Sequence, residues 1–142
     1  MPRYVVDASV VAKWVLPGEP YGEQSVRLKE DVVRGVVEPH APTLLPYEVG
    51  SLLLRATRLG RVEEADAKSA LGSLAALRIA LHEVGWPEAT RCLGLSRSLG
   101  LSVYDASYVA LSAALRAPLI TADGQLAAKA RAATRVLHIK DY

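Results

Sequence analysis

Arg3-Tyr4-Val5-Val6-Asp7-Ala8-Ser9 is the stretch that decides the fold of this chain. A β-branched and aromatic run stops at the carboxylate of Asp7, and a helical pattern begins at once. A run of this length suits a buried strand and is too short for a buried helix. An acid at such a junction lies at the carboxyl edge of a sheet, where open α/β folds bind their ligands. We therefore expect Asp7 to belong to a functional site.

Strands and helices alternate along the rest of the chain. Hydrophobic periodicity, with Gly and Pro as stop signals, predicts helices over about 9–16, 21–34, 43–59, 62–77, 86–100, 103–116 and 124–133. It predicts strands over 3–7, 36–40, 79–84, 119–121 and 136–139. Pro39 and Pro42 indicate that the second of these strands lies at a sheet edge. The alternation favours a parallel sheet covered on both faces, and we expect one α/β domain over residues 1–142, a three-layer α/β/α sandwich.

Composition narrows the class of protein. The chain has 142 residues, 51% of them hydrophobic, and a net charge of +2, so disorder is not expected. Cys92 is the single cysteine, which excludes an internal disulfide and predicts a reducing, cytoplasmic location. Asp7 and Lys13 interrupt any apolar core of a signal peptide, and no uncharged run is long enough to span a bilayer. Asn is absent and Gln, Met and Cys are scarce. Because these residues are thermally labile, their depletion favours a thermophilic source organism.

Three later acids resemble Asp7 in their position beside a predicted helix start. They are Glu48, Asp105 and Asp123, which occur in Pro46-Tyr47-Glu48, Val103-Tyr104-Asp105 and Ile120-Thr121-Ala122-Asp123. Taken alone, each aspartate has a structural explanation as a helix N-cap, and Glu48 has one as an acid in a first helical turn. As a set, they lie in apolar surroundings, and no basic residue lies within four positions of the last three. We therefore expect the fold to gather all four acids into one pocket.

Such a pocket needs positive charge. Two carboxylates about 4 Å apart repel by roughly 4 kcal/mol at an effective dielectric constant of about 20. A divalent cation relieves that repulsion, and oxygen ligands alone suit Mg²⁺ or Mn²⁺. Ser9 and Thr121 each lie two residues from an acid, where their hydroxyls can orient a carboxylate or a metal-bound water. Alternatively, Ser9 caps a helix and Thr121 is simply a strand former. The three histidines, His40, His82 and His138, are well separated in the sequence, and we interpret them as structural.

Four motifs in order along almost the whole chain resemble the PIN-domain ribonucleases, and within them the VapC-type toxins of toxin–antitoxin pairs. The matching segments are Val6-Asp7-Ala8-Ser9-Val10, Pro46-Tyr47-Glu48-Val49, Tyr104-Asp105-Ala106-Ser107-Tyr108-Val109-Ala110-Leu111 and Leu119-Ile120-Thr121-Ala122-Asp123-Gly124-Gln125-Leu126. The resemblance implies a five-stranded parallel sheet whose order reverses beside the first strand. It also implies that Asp7, Glu48, Asp105 and Asp123 bind Mg²⁺ or Mn²⁺ and cleave RNA, and that a homodimer is bound by a small antitoxin.

On this hypothesis the cation polarises a phosphodiester and activates a water that attacks phosphorus, with a carboxylate as the base. Lys13, Arg55 and Arg58 are the candidate RNA-binding residues, and Arg61 extends their positive charge. A solvated or salt-bridged helix face is the plainer explanation for each of them. The leucines of the third helix offer apolar surface for a homodimer or an antitoxin helix, although core packing explains most of them equally well.

Three other interpretations compete with this one. A haloacid-dehalogenase-type phosphatase also places an Asp after its first strand, but it requires a second Asp where this chain has Ser9. A receiver domain requires an acidic pair and a late lysine that the sequence does not offer. The non-enzymatic alternative is a catalytically silent module of the same fold that binds RNA or protein.

Overall fold

A computed structural model describes residues 1–142 and shows a five-stranded parallel sheet. In chain order the strands are β1 (Arg3–Val6), β2 (Glu38–Pro42), β3 (Ala80–His82), β4 (Leu119–Thr121) and β5 (Val136–His138). Their order across the sheet is β3-β2-β1-β4-β5, and every pairing is parallel. The predicted α/β class and the reversal of strand order beside β1 are both confirmed.

Seven α-helices join and cover the strands. They are α1 (Ala8–Val11), α2 (Gly22–Val33), α3 (Leu45–Arg58), α4 (Glu64–Ala75), α5 (Trp86–Leu99), α6 (Val103–Leu115) and α7 (Gly124–Ala130). Right-handed crossovers place the helices before β3 on one face of the sheet and those after it on the other. On the second face α6 contacts β1, β2 and β4, and α5 packs against α6. The chain therefore forms the predicted three-layer sandwich.

The first helix is shorter than expected. It ends at Val11, and a 3₁₀ turn over Ala12–Trp14 replaces the predicted continuation to residue 16. The β-branched valines in this segment lose side-chain freedom in a helix, and 3₁₀ turns are common where α-helices end. The turn still buries Trp14 in the core.

The predicted edge position of the second strand is wrong, because β2 lies between β1 and β3. The register explains how an inner strand accommodates two prolines. Pro39 pairs with β1 but precedes the first residue that pairs with β3, and Pro42 pairs with β3 after the pairing with β1 has ended. Only His40 is paired on both sides, so each proline lies where β2 has a single neighbour and needs one ladder hydrogen bond fewer.

The core lies on both sides of the central strands. Val5, Val6, Leu119 and Ile120 of β1 and β4 are completely buried, which explains their nearly continuous apolar sequence. None of the helices has the length and apolar character needed to cross a membrane.

Candidate active site

The four predicted acids line one cleft of about 580 Å³ at the carboxyl edge of the sheet. Asp7 follows β1 and Asp123 follows the neighbouring β4, so the reversal of strand order brings them together. Glu48 and Asp105 reach the cleft from the first turns of α3 and α6. Acids that lie far apart in sequence therefore share one water-accessible space.

Two hydroxyl groups hold the side chain of Asp7 in place. The residue is only 5% exposed, and its Oδ2 accepts hydrogen bonds from Ser9 Oγ at 2.7 Å and Thr121 Oγ1 at 2.8 Å. Ser9 Oγ in turn accepts a hydrogen bond from the backbone N–H of Ala122, and Thr121 Oγ1 accepts one from the N–H of Asp123, each at 3.0 Å. Ser9 and Thr121 thus tie the end of β1 to the turn after β4. The geometry shows that both hydroxyls orient the Asp7 carboxylate.

The alternative explanation as N-caps applies to only one aspartate. Asp123 Oδ1 accepts the N–H groups of Gln125 and Leu126, at 2.9 and 3.2 Å, and so caps α7. Asp7 occupies the N-cap position of α1 without a side-chain capping bond. Asp105 lies inside α6, whose cap is Ser102. Capping therefore does not explain why these acids share the cleft.

Burial and mutual repulsion raise the pKa of three of the acids. Desolvation is the main cause of the raised pKa at Asp7, Glu48 and Asp105. The charge of Asp123 adds to the effect at Asp7 and Asp105, and the charge of Asp7 adds to it at Glu48 and Asp105. The hydroxyls of Ser9 and Thr121 oppose the shift at Asp7 because they stabilise its ionised form. Ionisation of these clustered acids is therefore energetically unfavourable in the absence of a counter-charge.

No salt bridge relieves that charge: the ion pairs of the chain all lie elsewhere. Glu48 Oε1 is buried without a hydrogen-bond partner, and so is the hydroxyl of Tyr108. Tyr108 lies beside Glu48 and partly opposes the rise in the pKa of that acid. An all-carboxylate donor set with an unpartnered buried oxygen fits a hard divalent cation. As they stand, no three acidic, histidine or cysteine side chains are close enough to form a ready-made metal site. Cation binding would thus require small side-chain movements.

Comparison with known proteins places the chain in a family. The model of the PIN domain matches residues 4–132. The chain belongs to the PIN-domain family. It is 35% identical over 128 residues to Ribonuclease VapC3 of Pyrobaculum aerophilum, covering 89% of this chain and 94% of that relative. It is also 35% identical over 133 residues to Ribonuclease VapC1 of Mycobacterium tuberculosis, covering 90% and 91%.

Solved structures agree with this PIN-domain fold. PAE2754 from Pyrobaculum aerophilum matches with a TM-score of 0.71 at 24% identity, over 98% of this chain and 90% of that one. VapC20 of Mycobacterium tuberculosis, described as a toxin that cleaves the sarcin-ricin loop, matches with a TM-score of 0.67 at 20% identity, over 88% and 93%. At these identities the likeness supports the fold alone.

A basic cleft of about 330 Å³ adjoins the acidic cleft of this PIN domain, and the two share Ser9 and Leu52 in their linings. Lys13 and Arg55, both predicted to contact RNA, line it. The predicted Arg58 does not line it, whereas Arg61 does. The one acid in this lining is Glu19, which lies 4.0 Å from Lys13 Nζ and 3.7 Å from Arg61. Arg55 has no acidic partner, so the basic cleft retains net positive charge.

The histidines lie outside both clefts. His40 and His82, on neighbouring strands, approach each other at 2.8 Å between Nδ1 and Nε2, and Glu38 bonds the other nitrogen of His40. Burial and the proximity of His40 lower the pKa of His82. His138 accepts the N–H of Lys140 and caps the final turn. This arrangement agrees with the structural role predicted for all three.

Sequence reasoning missed three tyrosines near the acids. Tyr47 and Tyr104 line the acidic cleft, and Tyr108 is completely buried beside Glu48. The only available signal was position: Tyr47 and Tyr104 each precede an acid of the cleft by one residue. Tyr108 falls within an apolar helix, where a tyrosine is indistinguishable from a core residue.

Proposed function

We propose that this PIN domain is a divalent-metal-dependent endoribonuclease and the toxin component of a toxin–antitoxin pair. The observation that carries the proposal is the gathering of Asp7, Glu48, Asp105 and Asp123 in one cleft with no cationic side chain among them. The family match and the ribonuclease relatives support cleavage of RNA. The adjoining basic cleft supports a polyanionic substrate.

The four acids would hold Mg²⁺ or Mn²⁺, which when bound supplies positive charge to a phosphate and makes a water more acidic. Ser9 and Thr121 fix the Asp7 carboxylate, so little reorientation is required of that acid. One carboxylate of the cluster would take the proton of the attacking water. The water oxygen bonds to phosphorus as the bond to the sugar 3′ oxygen breaks, and that oxygen takes up a proton from solvent, which leaves a 5′-phosphate and a 3′-hydroxyl.

Lys13, Arg55 and Arg61 would contact phosphates that flank the scissile one. Their cleft continues from the acidic cleft through Ser9 and Leu52, so a strand lying along both would place one phosphate at the acids and another at the cations. Binding of RNA should accordingly weaken as salt rises. Arg58, outside this cleft, is the weaker candidate.

We further propose a homodimer and a small antitoxin as partners. Three exposed leucines, Leu52 and Leu54 of α3 and Leu59 directly after it, are apolar surface that the core does not use. Sedimentation of the purified chain, alone and with its antitoxin, would test both associations. A monomer that binds no antitoxin would contradict this part of the proposal.

The decisive experiment measures cleavage of labelled RNAs with Mg²⁺, with Mn²⁺ and with EDTA. We expect cleavage with a divalent cation and none with EDTA. Asp7→Asn should lower the rate by more than about 100-fold, since removal even of a group that supports a metal ligand costs 10–100-fold. The matched control is Asp66→Asn, an exposed acid in the first turn of α4, which should cleave normally.

Cleavage that survives EDTA or the Asp7 substitution would overturn the mechanism. Calorimetry with Mn²⁺ separates the enzyme from a silent binding module. A chain that folds and binds RNA but takes up no Mn²⁺ would be that module instead.

A further inference from the structure

Two exposed aromatic rings stand at the acidic cleft. Tyr47 is 83% exposed and Tyr104 is 61% exposed, and both line the space that holds the four acids. They come from different elements, Tyr47 from α3 and Tyr104 from α6, and each directly precedes an acid of the cleft. The repeated Tyr-acid order therefore places one ring beside Glu48 and another beside Asp105.

Neither ring contributes visibly to holding the fold together. The two phenol hydroxyls make no hydrogen bond within the chain, and neither ring packs against another aromatic ring: the tyrosines that do so are Tyr4, Tyr21 and Tyr142. An exposed tyrosine leaves a large apolar area in water, and such area concentrated at one site marks a binding surface. The rings are thus available to a ligand of the cleft.

The charges around the rings indicate what that ligand presents. The acids repel a nucleic acid backbone except where a cation neutralises them, and the basic residues contact phosphate without reading bases. Neither cleft offers another flat apolar surface, because the remaining apolar lining is aliphatic. Bases that have left a helical stack bind to aromatic faces with about 1–3 kcal/mol per base. Tyr47 and Tyr104 are the groups here that match a base.

We propose that Tyr47 and Tyr104 form a stacking platform for the unpaired bases on either side of the scissile phosphate. This inference rests on the proposed function, since it places the bases of the RNA whose phosphate is bound by the acids. The platform fixes the position of that phosphate in the cleft and contributes base-dependent affinity that the cations cannot supply. Paired bases are already stacked within their helix, so they cannot use it.

The experiment measures binding of a fluorescein-labelled single-stranded RNA dodecamer by anisotropy, in the uncleaving Asp7→Asn protein with Mg²⁺. We expect Tyr47→Ala and Tyr104→Ala each to weaken binding by about 5- to 150-fold, the range that corresponds to 1–3 kcal/mol. Tyr47→Phe and Tyr104→Phe should bind as tightly as the parent, because stacking uses the ring and not the hydroxyl. Trp86→Ala is the matched control, since Trp86 is 89% exposed at the start of α5 and lines neither cleft.

A second probe tests the contact itself. Removing bases from the centre of the dodecamer to leave abasic sites should weaken binding by the parent protein and have little effect on the Tyr47→Ala, Tyr104→Ala double variant. Equal losses in both proteins would show that bases and rings do not meet, and would overturn the inference. So would alanine variants that bind the intact dodecamer normally, or phenylalanine variants that lose as much affinity as alanine.

Three further outcomes distinguish the stacking platform from a protein contact and from the proposed nuclease. Alanine variants that keep RNA affinity but lose self-association or antitoxin binding would show that the rings are a protein contact, and would overturn it. Loss of stacking affinity in a chain whose wild type cleaves no RNA would uphold the platform and refute the nuclease. Normal cleavage and binding in the alanine variants would uphold the nuclease and refute the platform.

Discussion

The carboxylate of Asp7 is the most buried charge of the acidic cleft, and burial raises its pKa above the ordinary value of 3.8. A raised pKa means that folding disfavours the ionised form. The resulting contribution to stability is present below the unfolded pKa and is lost as the pH rises through the folded one. Without metal, ionisation of the buried Asp7 carboxyl is therefore unfavourable to folding.

Asp7→Asn should accordingly stabilise the metal-free protein. We expect the free energy of unfolding near neutral pH to rise by about 0.5–2 kcal/mol, the range typical of single stabilising substitutions. The gain should shrink as the pH falls and Asp7 becomes protonated in the parent. Urea unfolding at neutral and acidic pH measures both effects, with Asp66→Asn as the control. A variant less stable at every pH would mean that the hydrogen bonds of the ionised Asp7 outweigh its burial.

Thr121 links two acids through one hydroxyl, which donates to Asp7 and accepts from the backbone of Asp123. Thr121→Val keeps the shape of the side chain but leaves a buried carboxylate oxygen and an N–H without this partner. We expect a loss of about 1–3 kcal/mol in unfolding free energy and a fall of about 10–100-fold in cleavage rate.

Thr90→Val serves as the control. The hydroxyl of Thr90 also forms a hydrogen bond within the chain, but the residue is exposed on the surface of α5. Thermal unfolding and RNA cleavage should both stay normal in that variant. If Thr121→Val also cleaves at the parent rate, positioning of Asp7 does not limit the reaction.

How far the site could be predicted depends on the residue. Asp7 and Asp123 follow short apolar strands, so strand ends alone place them at one sheet edge. Glu48 and Asp105 were found because acids are rare in apolar stretches. The position of Tyr108 beside Glu48 could not be predicted from the sequence, because it depends on how α3 and α6 pack. The metal-binding and catalytic roles of the acids stay predictions.

At the scale of elements, α3 connects the two clefts. Glu48, near its start, lines the acidic cleft, and Arg55, two turns later, lines the basic one. Arg58 lies only three residues beyond Arg55 but is outside both linings. The helix thus provides a matched pair of arginines that differ in position alone.

We expect Arg55→Ala to weaken RNA binding and to reduce the salt dependence of that binding by about one unit of slope in log–log form. Arg58→Ala should change neither by more than a small fraction of that effect. Anisotropy titrations over a range of salt concentrations provide the measurement, with thermal unfolding to verify folding. Equal losses in the two variants would indicate a diffuse positive surface rather than a defined phosphate contact.

Element boundaries show which signals are strong in the sequence. Glycine was used as a helix stop signal, and Gly35, Gly60 and Gly100 each have a positive φ just after the last residue or C-cap of a helix. The wrong prediction that β2 lies at a sheet edge shows the limit of such local rules. Proline lacks one backbone N–H donor. Whether a neighbouring strand needs that donor depends on the stagger of β1 and β3, which the residues next to the proline do not encode.

At the scale of the whole molecule, one continuous sheet joins the first and last parts of the chain. Its order came from the family resemblance, because periodicity alone indicates parallel strands without saying which are neighbours. The core is likewise a single cluster that extends from Val5 to Ile139. This organisation supports the prediction that residues 1–142 form one domain.

A single domain should unfold in one cooperative step. We expect far-ultraviolet circular dichroism and tryptophan fluorescence to give the same midpoint, since Trp14 is buried in the core and reports its loss. Two separated transitions, or midpoints that differ between the probes, would show that part of the chain folds independently.

The central place of β1 has a consequence for synthesis of the protein. Asp7 is synthesised more than a hundred residues before Thr121, which orients it, and Asp123, which faces it. A growing chain therefore lacks part of the acidic cluster until β4 and the turn that follows it have been made. Under the proposed function, this order would keep a chain inactive on RNA until that point in its translation.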